Sequence, residues 1–261
     1  MKPITENIIE QSTIEILQSQ RWEYANGKEI SPEGLFCERE SFSQVVLTKR
    51  LKEAIAGINP HIPADAQEAA VQKVMRIGSP DLLHNNEEFH RLLVEKVKIP
   101  YQENGYERSH EVALIDFENP ANNRFLVVNQ YTIVENNQNK RPDVLLFVNG
   151  LPLVVIELKN AASENSDIKS AYQQIQTYKA IIPSLFTYNA VCIISDGLEC
   201  KAGSVSADLS RYMTWKTADG VREASRFKPQ LETTLKGMLH LPTLLDLVCN
   251  FIVFEKSKRE D

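Results

Sequence analysis

Three charged residues stand at the ends of two apolar segments near the middle of the sequence. Asp143 precedes the first segment, 144–148, whereas Glu157 and Lys159 close the second, which starts at Leu151. Carboxylates that are buried close together repel each other, and they stay ionised only if a cation neutralises them. Mg²⁺ suits this task because it takes oxygen ligands, is often held by one or two carboxylates, and completes its shell with water and phosphate. The ammonium of Lys159 would orient an attacking water and stabilise charge on a phosphoryl group, so these residues point to metal-assisted phosphate ester hydrolysis.

A β-hairpin is the element that would bring these three residues together. The two apolar segments flank an Asn-Gly pair at 149–150, which is typical of a tight hairpin turn. In an antiparallel pair the start of the first strand lies beside the end of the second, so Asp143 comes near Glu157 and Lys159. A two-residue loop would leave Asp143 and Glu157 on opposite faces. We therefore predict a three-residue loop or a bulge at 149–151, which shifts the register so that both carboxylates share one face.

Charges at the ends of strands are often simply solvated, so the acid and lysine pattern by itself is weak evidence of a site. The segment 151–156, however, has the composition of a central strand, and both strands carry charge at the same end of the hairpin. Buried strands do not usually end in exposed ion pairs on both partners. The context therefore favours a functional cluster.

The remaining elements predict an α/β chain with a mixed sheet flanked by helices. Apolar spacing and breakers predict helices at 4–20, 41–56, 64–77, 86–98, 166–182, 230–239 and 242–254. Residues rich in β-branched and aromatic side chains predict strands at 110–118, 124–134 and 190–195, with weaker strands at 198–203 and 211–216. The first helix is expected to pack on the same sheet.

Composition limits the class of protein and its compartment. The chain has 261 residues, 43% of them apolar, and a net charge of −6, which argues against a generally basic nucleic-acid coat but leaves room for a local basic groove. The four cysteines are scattered without a C-x-x-C pair, which argues against a disulfide framework or structural zinc. The start of the chain has no signal-peptide pattern and no run approaches a membrane span, so we expect a cytoplasmic protein.

The motifs in this order resemble a known family of nucleases. Pro142-Asp143 followed by Glu157-x-Lys159 looks like the PD-(D/E)-x-K signature, and Gln174-x-x-x-Tyr178 resembles the Q-x-x-x-Y motif of the RecB-like branch. The segments 5–7, 22–27 and 147–154 are similar to the start of type I restriction enzyme R subunits (the HsdR family). The resemblance covers most of the chain and implies a restriction-endonuclease-like core.

The resemblance also implies roles for individual residues. By analogy, Asp143 and Glu157 bind Mg²⁺, and Lys159 is catalytic together with them. Gln174 and Tyr178 would position DNA or the metal ligands, since residues four apart share a helix face.

Two further assignments have competitors. An acid from the first helix often joins such sites, and we expect Glu10 rather than Glu6 to be a metal ligand. Gln173 competes with Gln174, although only Gln174 keeps the four-residue spacing to Tyr178.

Basic residues that flank the expected groove would contact phosphates or remain ordinary surface charges: Lys140, Arg141, Lys169 and Lys179.

The implied function is that of a Mg²⁺-dependent type I site-specific deoxyribonuclease domain, which hydrolyses phosphodiester bonds of double-stranded DNA with a metal-activated water. The expected layout is a nuclease domain at 1–254, with a helical block at 41–99, a catalytic core at 110–203, and a charged tail at 255–261 that leads to an absent motor. ATP would serve only that motor, because no G-x-x-x-x-G-K-[S/T] loop occurs here. The expected partners are the motor domains of the same chain and the specificity and methyltransferase subunits. Two alternatives remain, a non-catalytic DNA-binding or assembly module of the same fold and a nuclease domain of another restriction or repair system.

Overall fold

A computed structural model describes residues 5–160, 167–225 and 227–255. The helices are α1 (Glu6–Ser19), α2 (Thr48–Ile58), α3 (Ala64–Met75), α4 (Leu82–Val94), α5 (Ile168–Ile181), α6 (Pro183–Thr187), α7 (Gln230–Gly237) and α8 (Leu241–Asn250). The strands are β1 (Glu23–Asn26), β2 (Val97–Glu103), β3 (Tyr106–Val112), β4 (Phe125–Asn129), β5 (Ile133–Glu135), β6 (Gln138–Lys140), β7 (Val144–Val148), β8 (Leu151–Leu158), β9 (Val191–Ser195) and β10 (Cys200–Gly203). None of the described helices is long and apolar enough to cross a membrane.

A six-stranded mixed sheet organises the molecule, in the order β1-β4-β7-β8-β9-β10. The pairs β1–β4 and β8–β9 are parallel, whereas β4–β7, β7–β8 and β9–β10 are antiparallel. Helix α1 packs on β1, β4 and β8, and α5 packs on β8 and β9. The expected mixed sheet flanked by helices, with the first helix on the same sheet, is therefore confirmed.

The three strands β7, β8 and β9 form the centre of the core. Every residue in them is buried, which fits segments made almost entirely of Val, Ile, Leu and Phe with both faces of the sheet covered. The end of the sheet at which β7 begins and β8 ends carries the charged residues. A polar cluster is thus attached to the fully buried centre of the sheet.

Helix α5 starts with a strong capping signal. The side chain of Asp167 accepts a hydrogen bond from the Ser170 backbone N–H, and the Ser170 hydroxyl contacts the Asp167 N–H in return. The buried stripe of Ala171, Ile175 and Tyr178 faces the sheet. The predicted helix is confirmed, although its predicted first residue, at position 166, lies outside the described residues.

Several regions differ from the sequence prediction, including the strand predicted at 211–216, of which only a bridge between Met213 and Ala202 forms. Residues 97–112 form a separate antiparallel hairpin of β2 and β3, so the helix predicted to residue 98 ends at Val94 and the strand predicted at 110–118 ends at Val112. Lys96 has a φ of 65°, which ends the helical path and directs the chain into β2. The edge strand β1 was not predicted, because four residues without an alternating pattern carry too weak a signal.

The predicted helical block contains three helices, but the first begins seven residues later than expected, at Thr48 instead of residue 41. The preceding segment, 45–47, is buried as an irregular chain. Its last residue, Leu47, donates its backbone N–H to the carbonyl of Gly150 at 2.9 Å. This loop is therefore fixed by a contact with the central hairpin that local propensity does not reveal.

Candidate active site

The turn of the central hairpin has two residues and is regular. Val148 pairs with Leu151, and Asn149 and Gly150 have φ values of 53° and 82°, as a tight turn of this kind requires. The prediction of an odd loop or bulge at 149–151 was therefore wrong in its position.

The required shift of register occurs two residues farther along. Phe147 pairs with Pro152 but Leu146 pairs with Val154, so Leu153 is an extra residue on β8. This bulge reverses the parity of the hairpin.

Proline explains the position of the bulge. Pro152 has no N–H to donate to a neighbouring strand. A proline in a central strand is therefore tolerated only where the regular hydrogen bonding is interrupted, as at a bulge. The carbonyl of the extra residue, Leu153, accepts hydrogen bonds from the Ala190 N–H at 2.7 Å and from the Asn189 side chain at 3.2 Å. The sequence signal for the bulge was therefore Pro152 and not the Asn-Gly pair.

The bulge brings the charged residues together. Val144 pairs with Ile156, so one step farther Asp143 lies opposite Glu157 on the same face. The Leu158 N–H donates to Asp143 Oδ2 at 2.7 Å, and Lys159 Nζ donates to Glu157 Oε1 at 2.6 Å. The predicted convergence of Asp143, Glu157 and Lys159 at one strand end is what the structure shows.

Burial governs the charge state of the two carboxyl groups. It raises the pKa of Asp143 to about 8, and the nearby charge of Glu157 adds to the shift, while the Leu158 N–H and Lys159 oppose it. Burial also raises the pKa of Glu157, against the lowering effect of Lys159. Burial alone would lower the pKa of Lys159, but attraction by Glu157 outweighs it and the pKa of Lys159 is raised. Two acids and one lysine at this site therefore leave a demand for further positive charge.

A divalent cation fits this demand. Glu157 is 1% exposed, and no donor lies at full hydrogen-bond distance from its buried Oε2 atom, although the Tyr178 hydroxyl is close enough to lower the pKa of Glu157. This oxygen and the neighbouring carboxylate of Asp143 are hard oxygen ligands of the kind that a divalent cation takes. Within the described part of the chain, no third His, Cys, Asp or Glu completes a metal-holding group with them.

Tyr178 and Gln174 reach the site from α5. The hydroxyl of Tyr178 donates to the Arg141 carbonyl at 3.4 Å, next to the start of β7. Burial raises the pKa of Tyr178, the charges of Glu157 and Asp143 add to the shift, and a hydrogen bond with Gln174 opposes it. The hydroxyl is therefore a permanent donor within the electrostatic range of both carboxylates.

The two glutamines considered for this helix differ in environment. Gln174 is half-buried and interacts with Tyr178, whereas Gln173 is exposed. This placement agrees with the choice of Gln174, whose role stays a prediction. Of the flanking basic residues, Lys179 donates to the Val205 carbonyl at 2.5 Å, while Arg141 and Lys169 are exposed.

Helix α1 supplies two acids with different contacts. Glu6 Oε1 accepts a hydrogen bond from Lys159 Nζ at 3.1 Å, so it touches the predicted site directly. Glu10, the predicted metal ligand, is 8% exposed, and its two oxygens accept hydrogen bonds from Asn129 Nδ2 at 2.7 Å and Gln130 Nε2 at 3.0 Å. Sequence reasoning missed the contact of Glu6, because the rotation of α1 about its axis is not readable from its spacing alone.

The fold and this cluster define a class of protein. A mixed sheet with flanking helices, carrying two carboxylates and a lysine where one antiparallel hairpin opens, is a restriction-endonuclease-like architecture. The family model described as "Type I restriction enzyme R protein N terminus" matches residues 3–211. The chain belongs to this family.

Curated relatives agree with the family. The chain is 41% identical over 258 residues to the type I restriction enzyme HindI endonuclease subunit of Haemophilus influenzae, which covers 97% of this chain and 24% of the relative. It is 31% identical over 270 residues to a putative type I restriction enzyme MjaIXP endonuclease subunit of Methanocaldococcus jannaschii, over 96% of this chain and 26% of the relative. The chain thus spans about a quarter of the length of these relatives.

Proposed function

We propose that this chain is the Mg²⁺-dependent nuclease domain of a type I restriction R subunit, which hydrolyses phosphodiester bonds of double-stranded DNA. The observation that supports it most strongly is the bulge at Leu153. The two-residue turn does not require a bulge. The bulge places Asp143 and Glu157 on one face beside Lys159. The names of the relatives as endonuclease subunits support the same activity.

In this proposal each residue has a role that follows from its surroundings. Asp143 and Glu157 hold the cation, since burial, which raises both pKa values, and the repulsion of Asp143 by Glu157 disfavour two negative charges without a neutralising cation. A bound divalent cation supplies the positive charge that neutralises both carboxylates and attracts the phosphate group. Lys159 keeps its proton at neutral pH because its pKa is raised, so it offers positive charge to the phosphate and does not act as a base.

Residues of α5 complete the site on its inner side. Tyr178 remains protonated, and its hydroxyl fixes the Arg141 carbonyl at the start of β7. Gln174 interacts with the Tyr178 hydroxyl and lowers its pKa, and we assign it to positioning DNA or the metal ligands together with Tyr178. The partners in the working enzyme are DNA, the ATP-driven motor domains of the same subunit, and the specificity and methyltransferase subunits.

Metal binding tests the assignment of the carboxylates. Isothermal titration of the chain with Mg²⁺ or Mn²⁺ should show weak binding that Asp143→Ala abolishes, because a direct ligand is lost. Lys159→Ala should largely retain the binding, since an ammonium does not coordinate a cation. Asp116→Ala provides a matched control, because Asp116 is bound by the backbone of residues 118–119 and by Asn122. Equal binding by the wild type, Asp143→Ala and Lys159→Ala would refute the metal assignment.

A further inference from the structure

The ammonium of Lys159 is shared between two acids. Lys159 Nζ lies 2.6 Å from Glu157 Oε1 and 3.1 Å from Glu6 Oε1. The two acids differ in their surroundings, because the Glu157 side chain is 2% exposed and the Glu6 side chain is 50% exposed. Lys159 therefore bridges the buried carboxylate of the strand and an outer carboxylate of the first helix.

This bridge matters when a cation is bound. A divalent cation on Glu157 would compete with the ammonium for the same carboxylate and repel it, since both charges are positive. A lysine with four rotatable bonds would then turn toward water. Glu6, which belongs to α1 and not to the hairpin, offers the ammonium a second carboxylate at 3.1 Å, and this contact does not depend on Glu157.

A second set of contacts fixes the helix that carries Glu6. One helical turn after Glu6, the buried carboxylate of Glu10 accepts hydrogen bonds from the side-chain amides of Asn129 and Gln130. Asn129 also accepts a hydrogen bond from the Tyr24 hydroxyl at 3.0 Å, and it ends β4 directly beside Val144 of β7. Both oxygens of Glu10 are thus bound at the end of β4, by Asn129 and the residue that follows it, and these contacts set the rotation of α1.

From this geometry we propose that Glu6 is a positioning residue that keeps the Lys159 ammonium at the site when a cation occupies Glu157, and that Glu10 anchors α1 for this purpose. Residues four apart on a helix lie on one face, so fixing Glu10 on β4 aims Glu6 at Lys159. The inference rests on the proposed function, because it assumes a cation on Asp143 and Glu157. It assigns Glu10 a different role from the metal ligand predicted from the sequence.

The side-chain ammonium of Lys159 provides a direct readout. In the ¹⁵N-labelled chain without DNA, the ¹H–¹⁵N signal of this ammonium is identified by its loss in Lys159→Arg. We expect the wild type to show this signal without metal and to keep it at saturating Mg²⁺. In Glu6→Gln the signal should be lost on addition of Mg²⁺, because the released ammonium exchanges its protons with water. Glu10→Gln should behave in the same way, since it places an amide group against two other amides and loosens the anchor.

The control variant lies on the same helix. Glu15 accepts a hydrogen bond from Gln11 on the exposed surface, so Glu15→Gln removes an equal charge and should behave as the wild type. The Mg²⁺ affinity of Glu6→Gln should stay within about fivefold of the wild type, as expected for the loss of an exposed ion pair.

Each failure has its own meaning. A wild-type signal that is absent without metal, or a Glu6→Gln signal that persists at saturating Mg²⁺, would overturn the positioning role alone. A larger loss of Mg²⁺ affinity in Glu6→Gln would make Glu6 a ligand and would also overturn it. Failure of the wild type to bind Mg²⁺ would instead refute the proposed function, and this inference with it.

Discussion

At the scale of single residues, the site combines burial with unbalanced negative charge. The raised pKa values of Asp143 and Glu157 have burial as their main cause, and the Lys159 ammonium that contacts Glu157 is already shared with Glu6. Two buried negative charges are unfavourable on their own, and binding of a cation would stabilise them. Stability in this region should therefore depend on both pH and metal.

The pH dependence of unfolding tests the burial of Asp143. Its folded pKa of about 8 exceeds the ordinary value of 3.8, so the stabilisation that comes from its bound proton is fully present below about pH 4 and is lost as the pH rises from there through 8. Asp143→Asn cannot ionise and can still accept the Leu158 N–H. In EDTA, the variant should match the wild type near pH 4 and exceed its Tm at pH 8 by at least about 3 °C, close to 1 kcal/mol for a chain of this size.

An acid with the opposite shift is the control. Hydrogen bonds from Asn122, Asn119 and Glu118 lower the pKa of Asp116 despite its partial burial. Asp116→Asn should therefore lose stability relative to the wild type as the pH rises from acid to neutral. Parallel curves for Asp143→Asn and wild type between pH 4 and pH 8 would contradict the buried-acid description.

At the scale of elements, the central hairpin depends on two separate features. The turn at Asn149 and Gly150 is buried and docked: the Asn149 side chain binds the Arg124 N–H and the Leu114 carbonyl, and Gly150 accepts the Leu47 N–H. The bulge at Leu153 then sets which face each later residue occupies. The turn fixes the position of the hairpin in the core, and the bulge decides whether the carboxylates meet.

Substitution of Gly150 tests the docked turn. Gly150→Ala places a Cβ at a φ of 82° and against the Leu47 carbonyl, so urea unfolding should show a loss of more than about 2 kcal/mol. Gly57→Ala is the matched control: Gly57 lies in α2 with open space around its missing Cβ, and alanine there should add about 0.5–1 kcal/mol. A Gly150→Ala variant as stable as the wild type would refute the buried turn.

At the scale of the molecule, this chain corresponds to about a quarter of the relatives that it matches. In the proposed enzyme the motor brings DNA to the domain, so cleavage and ATP hydrolysis depend on different parts of the subunit. The central sheet and its site lie within the 3–211 segment that the family model matches. Residues of α7 and α8 lie beyond that segment.

If cleavage and ATP hydrolysis depend on different domains, Lys159→Ala in a full-length R subunit that carries this domain should affect only cleavage. DNA cleavage should disappear, because positive charge beside the phosphate is lost, and DNA-dependent ATP hydrolysis should stay near the wild-type rate. A lysine with a structural partner elsewhere is the control: Lys236 pairs with Glu232 on α7, and Lys236→Ala should retain both activities. Cleavage that survives Lys159→Ala would exclude Lys159 from catalysis.

Local patterns were sufficient for much of this architecture. Apolar runs bounded by Gly, Asn and charged residues predicted the strands β7, β8 and β9, because strands buried on both faces are apolar throughout. The helical spacing of apolar residues predicted α5. Antiparallel pairing predicted that Asp143, Glu157 and Lys159 meet at one end of the hairpin, and a shift of register was needed to put both carboxylates on one face. Edge and irregular segments such as β1 and 41–47 escaped prediction because their conformation is set by pairing with distant residues.

The sequence by itself therefore determined which residues meet at the open end of the hairpin, because antiparallel pairing needs only a turn and two buried strands. Only the tertiary structure decided how they meet. The bulge lies at Leu153, next to Pro152, which has no N–H to donate, and residues 189–190 satisfy the extra carbonyl. The rotation of α1, which puts Glu6 on Lys159 and Glu10 on Asn129, depends on packing across more than a hundred residues of chain. Such contacts leave no periodic signal, since they are fixed by the shape of the assembled core.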